Sequence, residues 1–189
     1  RFNDAERLVE LSVHDVVDAG PPSGHLQMAM GFSSRSRMAA GVAVHQTYQS
    51  HRTDVDEAFS SEVSIRHRML ILDWEVIISG RMDGLTQEGE YHVVEEVKSS
   101  ALGFERLDRM RASDMPQAEL QLQMYLHALV GQGKNAVGRL VVISIRDGTQ
   151  HVLHVAPDPD FGAFLKQQLT WMIERHEQRM AWLARRRSA

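Results

Sequence analysis

The sequence predicts an α/β domain, and three patterns carry that prediction. Segments 62–71, 75–81 and 91–98 alternate apolar and polar residues and follow one another closely, which reads as three consecutive antiparallel strands. A further pair, Gly138–Arg146 and Gln150–Ala156, flanks an Asp147-Gly148 turn. Segments with helical spacing lie before, between and after these strands. At 189 residues, 43% hydrophobic and 24% charged, the chain suits one domain, 1–189, with a substantial core.

The elements follow in order. Asn3 or Asp4 can cap a first helix whose apolar face is Leu8, Val9 and Leu11. A short second helix, Ser12–Asp18, opens on a Ser12 cap and stops at Gly20-Pro21-Pro22, with His14 as a surface or capping residue. A third, Ser36–His51, buries Met38, Val42 and Val44 or Tyr48, and its small residues Ala39, Ala40, Gly41 and Ala43 allow close approach to a sheet. Strand Glu62–Ile71 turns Val63, Ile65 and Met69 inward, residues 72–74 reverse the chain into Glu75–Arg81, and Gln87-Glu88-Gly89 leads into Tyr91–Lys98. Ser99–Asp114 lacks an apolar period and reads as a loop. A helix starting at Met115 or Pro116 and running to Val130 is apolar around most of its circumference, and a long helix from Asp158 or Asp160 to Arg187 finishes the chain.

Composition narrows the chemistry. The absence of cysteine removes disulfides, thiol nucleophiles and iron–sulfur clusters, so a metal must be held by His, Asp or Glu. No apolar run is long enough to span a bilayer and the start lacks a signal-peptide pattern, so no membrane partner and a cytoplasmic location are expected. The net charge of -4 does not mark a nucleic-acid binder, but Ala19–Thr53 contains no acid while holding Arg35, Arg37, Arg52, His25, His45 and His51. That makes a local positive face suited to phosphate, or a solvated loop.

The stretch Glu75–Ser100 concentrates the chemistry-bearing residues. Alternation puts Glu96 and Lys98 on one face of a strand and Glu95 and Val97 on the other, while Asp83 leaves the end of the preceding strand. Converging carboxylates repel unless a cation lies between them, and hard oxygen donors suit Mg²⁺ or Mn²⁺. A lysine beside that cation can act on a water and stabilise charge on a phosphate. Each piece has a plainer reading too, since Asp83-Gly84 is a hairpin-turn signal and Glu-x-Lys a solvated strand face. His45 is either a core histidine or a third ligand, and Glu62 lies at the edge of the site or on the surface. Gln117, Gln121 and Tyr125 share one face of a buried helix and need polar partners. His151 and His154 fall on opposite strand faces and make a poor metal pair, while Arg106, Arg109, Arg111 and the Arg185–Arg187 run reach phosphate or are solvated.

The ordered set His45, Gly80-Arg81-Met82-Asp83, Glu96-Val97-Lys98 and Gln121-Leu122-Gln123-Met124-Tyr125 resembles the RecB-like branch of the PD-(D/E)XK nuclease superfamily. The resemblance implies a restriction-endonuclease-like core, a mixed sheet flanked by helices. It implies that His45, Asp83, Glu96 and the Val97 carbonyl ligate Mg²⁺ or Mn²⁺, that Lys98 acts on the attacking water, and that Gln121 and Tyr125 line the site or contact DNA. It also implies hydrolysis of a DNA phosphodiester to a 5′-phosphate product. Relatives with an iron–sulfur cluster use four cysteines, which are absent here. LSVHDVVDAG, SSRSRMAAGVAVHQ, ISGRMDGL and EEVKSS further resemble the N-terminal nuclease domain of bacterial XPD-related helicases. That implies a fragment of a larger nuclease-helicase acting in DNA processing or repair. The XPD-like helicase domain would lie in the same polypeptide beyond Ala189, because no Gly-Lys-Ser/Thr phosphate loop occurs in this chain. The expected partner is DNA, single-stranded or with single-stranded ends, held through Arg35, Arg37, Arg52, Gln117, Gln121 and Tyr125.

Two other classes compete. A DNA-binding or helicase-docking module could keep the fold without turnover, showing steep salt dependence and no metal-dependent product. A structural metal site or a carbohydrate enzyme with paired carboxylates would leave Lys98 and the Gln121/Tyr125 stripe without a purpose.

Overall fold

Strand pairing centres on one long strand. A computed structural model describes residues 1–19 and 35–187, without the side chains of 35–40, 104 and 187. The Gly20-Pro21-Pro22 stop, His25 and the side chains of Arg35, Arg37 and Met38 therefore lie outside the described residues. Strand β4 (Trp74–Glu88) has 15 residues, enough to serve three neighbours. Strand β3 (Ser60–Ile71) runs antiparallel along one edge. On the other edge, β2 (Leu8–Ser12) pairs in parallel with Glu75–Ser79, and β5 (Tyr91–Ser100) pairs antiparallel with Gly84–Glu88. The sheet is completed by β1 (Phe2–Asn3) outside β2, and by β6 (Ala136–Ser144) and β7 (Gln150–Val155) beyond β5. The result is a mixed, seven-stranded α/β sheet flanked by helices.

Helices cover both faces. Helix α1 (Val13–Asp18), α4 (Pro116–Gly131) and α5 (Phe161–Arg187) close the main core, in which Trp74, Leu122, Leu126, Leu140 and Leu165 are fully buried. On the opposite face, α2 (Arg35–Val55) packs Val44 and Tyr48 against Val97, Val141 and Ile143. The parallel pairing of β5 with β6 requires a crossover, and α4 supplies it, preceded by the short helix α3 (Phe104–Leu107) and a 3₁₀ turn at Ala112–Asp114. The start of the chain is fastened to α5. Phe2 stacks on His176 at 3.9 Å, Arg7 lies 4.3 Å over the Trp74 ring, and Trp74 Nε1 donates to Glu177 at 3.0 Å.

Several expectations change here. Leu8–Ser12 is a strand and not part of a helix, because Arg7 adopts φ 50° and the alternating Val9 and Leu11 are buried by pairing with β4. Ser12 does cap α1, with Asp15 completing a capping box: Asp15 N–H donates to Ser12 Oγ at 3.0 Å and Ser12 N–H to Asp15 at 2.7 Å. Helix α2 continues to Val55, past the expected end at His51. Its Val42 is 58% exposed, since two residues along a helix lie about 200° from the Val44 stripe that meets the sheet. Asp83-Gly84 is no turn: β4 continues to Glu88, and Gly84 is needed because a Cβ there would collide with the Phe59 ring. Residues 99–114, expected as a loop, begin by extending β5 and later bury Leu107 completely. Among the described residues no helix is long and apolar enough to cross a membrane.

His67 on β3 and His127 on α4 meet edge to face with ring centroids 5.3 Å apart, and His127 lies 5.6 Å from Phe161. Burial holds both imidazoles below their ordinary pKa, and for His67 the neighbouring His127 adds to the effect. A base depressed in the folded state favours its neutral form, so its stabilising contribution is present above the unfolded value of about 6.5 and is lost as pH falls through the folded value. Urea unfolding of the parent and of the His67→Gln/His127→Gln double variant at pH 7.5 and 5.5 isolates this contribution from that of Glu96, whose raised pKa acts in the opposite direction. The parent should lose stability relative to the double variant as the pH is lowered.

Candidate functional site

Regular strand pairing is interrupted at one place on β4. On the edge shared by β2 and β5, pairing with β2 ends at Ser79 and pairing with β5 begins at Gly84, which leaves residues 80–83 in a fork. Backbone groups inside a sheet require partners, and side chains supply them. Asp83 Oδ2 accepts the Val97 N–H at 2.8 Å, and the Tyr125 hydroxyl donates to the Arg81 carbonyl at 2.9 Å. Gly80 makes room for this, since a Cβ there would lie 2.6 Å from Val13 Cγ2 and 2.8 Å from Tyr125 Cε1.

The predicted alternation on β5 brings the remaining groups to the α4 side of this fork. Lys98 Nζ contacts Glu96 Oε1 at 2.5 Å. The Gln121 amide donates to Glu96 Oε2 at 3.0 Å and to the Tyr125 oxygen at 3.2 Å, while Gln121 Oε1 lies 3.4 Å from Lys98 Nζ. The donor direction is consistent throughout: ammonium and amide onto carboxylate, amide onto phenol, phenol onto the Arg81 carbonyl. Glu96, Lys98, Gln121 and Tyr125 thus form one hydrogen-bonded group, and Asp83 joins the site through the Val97 N–H between Glu96 and Lys98.

Burial sets the charge state of this group. Glu96 is 1% exposed, and burial raises its pKa to about 7; Lys98 opposes the rise and Asp83 adds to it. Burial also pushes the Tyr125 phenol up to about 12, so it keeps its proton and remains a donor at neutral pH.

His45 comes from the α2 side, and its Nδ1 lies 3.7 Å from Asp83 Oδ2. Val97 turns its N–H toward Asp83, and because a strand residue's N–H and C=O leave the same edge, its carbonyl faces the same fork. Among the described residues no three His, Asp or Glu side chains close on one point as a finished metal cage. Gln117 is exposed, one turn before Gln121.

Arg52 is placed differently from expectation. It faces the protein rather than an open phosphate-contacting surface, donating to Glu95 at 3.1 and 3.3 Å and to Asp56 at 3.2 Å. Glu95 is 1% exposed on the α2 face of β5; it also accepts from the Tyr48 hydroxyl at 2.7 Å and lies 3.6 Å from Arg139. Sequence reasoning missed this cluster. The available signal was an acid pointing to the same face as Val93 and Val97, together with Tyr48 and Arg52 four apart on a helix. It also missed Gln49, one turn after His45, whose amide donates to the Asp83 carbonyl at 2.9 Å.

No protein-family model matches the sequence, and no curated protein matches it. The fold is similar to a solved structure described as "Crystal structure of SSO0001", at 19% sequence identity and a TM-score of 0.54, over 74% of this chain. The match spans 61% of the length of that protein. At that identity the likeness concerns the fold.

Removing Arg52 leaves a buried carboxylate without its main cation. Arg52→Ala should destabilise the domain by about 3 kcal/mol in urea unfolding, whereas Arg68→Ala, at an exposed ion pair with Glu75, should cost under about 1 kcal/mol.

Proposed function

We propose that this chain is a Mg²⁺- or Mn²⁺-dependent deoxyribonuclease that hydrolyses phosphodiester bonds. The observation that carries this reading is the pair of buried Glu96 and half-buried Lys98 at 2.5 Å, beside a fork that Asp83 closes. The donor set fits a hard divalent ion: an imidazole from His45, carboxylates from Asp83 and Glu96, and the Val97 carbonyl. The raised pKa of Glu96, due to burial first and to Asp83 as a smaller addition, supports the fit, because a cation there would favour the ionised carboxylate. Held there, a divalent ion would neutralise the scissile phosphate and make water more acidic.

The protein's own groups have separate tasks. Lys98 holds positive charge where negative charge develops on the phosphate, and it lies close enough to orient a water. Gln121 fixes Glu96, Lys98 and Tyr125 relative to one another, and Tyr125 ties this group to the fork through the Arg81 carbonyl. DNA with single-stranded regions is the proposed substrate, acting with an XPD-like helicase domain of the same polypeptide in cytoplasmic DNA processing or repair. The helicase link follows from the sequence resemblance.

The decisive experiment uses labelled single- and double-stranded DNA with Mg²⁺, Mn²⁺ or EDTA. Metal-dependent cleavage should be lost by at least about 100-fold in Lys98→Ala with folding retained. Cleavage surviving in Lys98→Ala, Asp83→Ala and Glu96→Ala would overturn the assignment. DNA binding with a steep salt slope and no metal-dependent product would identify a binding or docking module instead.

A pH dependence follows from Glu96. A protonated carboxyl competes with a metal, so Mn²⁺ affinity should rise between pH 6 and 8 as Glu96 ionises around 7, and flatten above. Titration of the protein with Mn²⁺ across that range measures it, and Glu96→Gln should show weaker binding with a flatter profile.

A further inference from the structure

Among the described residues, three non-glycine residues have a left-handed backbone: Arg7, Glu62 and Leu72. Arg7 and Leu72 sit in turns, where this conformation is ordinary. Glu62, at φ 57°, lies inside strand β3. A long acidic side chain there is unfavourable unless surrounding contacts impose it.

The position opposite Glu62 is Asp83. The β3–β4 ladder pairs Ser61 with Gly84 and Val63 with Met82, and skips the 62·83 pair between them. Asp83 therefore lacks a regular partner on the β3 edge as well as on the forked one. The Glu62 carboxylate is held from two sides, by the Gln49 amide at 2.9 Å and by Arg81 Nε at 2.5 Å. The same Gln49 nitrogen donates to the Asp83 carbonyl at 2.9 Å. Gln49 lies one turn after His45 on α2, so this bridge spans the helix that bears His45 and the strand that bears Asp83.

We propose that Glu62 is a positioning residue for Asp83 and His45, acting through Gln49. The left-handed turn of its backbone opens the ladder at Asp83, and its carboxylate orients the Gln49 amide onto the Asp83 carbonyl. The Asp83 carboxylate is then left to the Val97 amide on one side and to His45 on the other. The consequence for metal binding rests on the nuclease reading; the geometric claim about Asp83 does not.

Glu62→Gly separates backbone comfort from function. Glycine adopts φ 57° freely, so the variant should melt no lower than the parent. If the carboxylate positions Asp83, the Val97 amide should exchange its hydrogen about tenfold faster, and Mn²⁺ binding should weaken about tenfold. Gln49→Ala should reproduce both effects. Glu62→Gln, which keeps an oxygen for the Gln49 amide, should restore most of the Val97 protection. Unchanged Val97 exchange in both Glu62→Gly and Gln49→Ala would overturn the proposal. A parent protein that binds no Mn²⁺ and cuts no DNA would remove the nuclease reading, while Val97 exchange would still decide the positioning role.

Discussion

The handover of β4 from one neighbour to the next is the constraint on which the site depends. A single edge of this strand is shared between a parallel partner and an antiparallel partner, and the two cannot meet without a gap. Exposed amides and carbonyls in that gap would be costly inside a folded sheet. Asp83 and Tyr125 close it with hydrogen bonds, so the side chains that make the site chemically interesting also complete the sheet. Stability and chemistry are thus tied to the same few atoms, and Gly80 and Gly84 are the small residues that allow the approach.

Consecutive carboxylates on β5 illustrate how environment separates structure from chemistry. Glu95 is surrounded by Tyr48, Arg52 and Arg139, so its charge is compensated and it binds α2 to the sheet. Glu96, equally buried, has one ammonium and one amide, and burial, with a smaller addition from Asp83, raises its pKa. A fully paired buried charge is a fastening, whereas an incompletely paired one keeps part of its desolvation cost, which shows as the raised pKa of Glu96.

Much of this arrangement was legible in the sequence, for identifiable reasons. The alternation of Glu96 and Lys98 against Glu95 and Val97 follows from strand geometry alone, and the four-residue spacing of Gln121 and Tyr125 follows from helix geometry. The Pro116 start of α4 and the Ser12 cap of α1 are local signals that tertiary structure did not override. What was illegible depends on distant partners. Leu8–Ser12 has apolar residues that suit either a helix or a strand, and parallel pairing with a segment over sixty residues away decides it. The continuation of β4 through Asp83-Gly84 depends on Phe59 and Glu95 occupying the space beside Gly84. The placement of Arg52 depends on Glu95, to which no local pattern connects it.

The two faces of β5 also limit how this protein can change over generations. Since side chains alternate with a period of two, losing or gaining one residue between Tyr91 and Glu95 would exchange the roles of its faces. An acid would be carried from the arginines of α2 to the lysine side, and Lys98 would be driven into the apolar contact now made by Val97 with Tyr48. A change of one residue in this strand is therefore excluded, and the two-residue Gly89-Glu90 turn, with Gly89 at φ 61°, holds the register beside it.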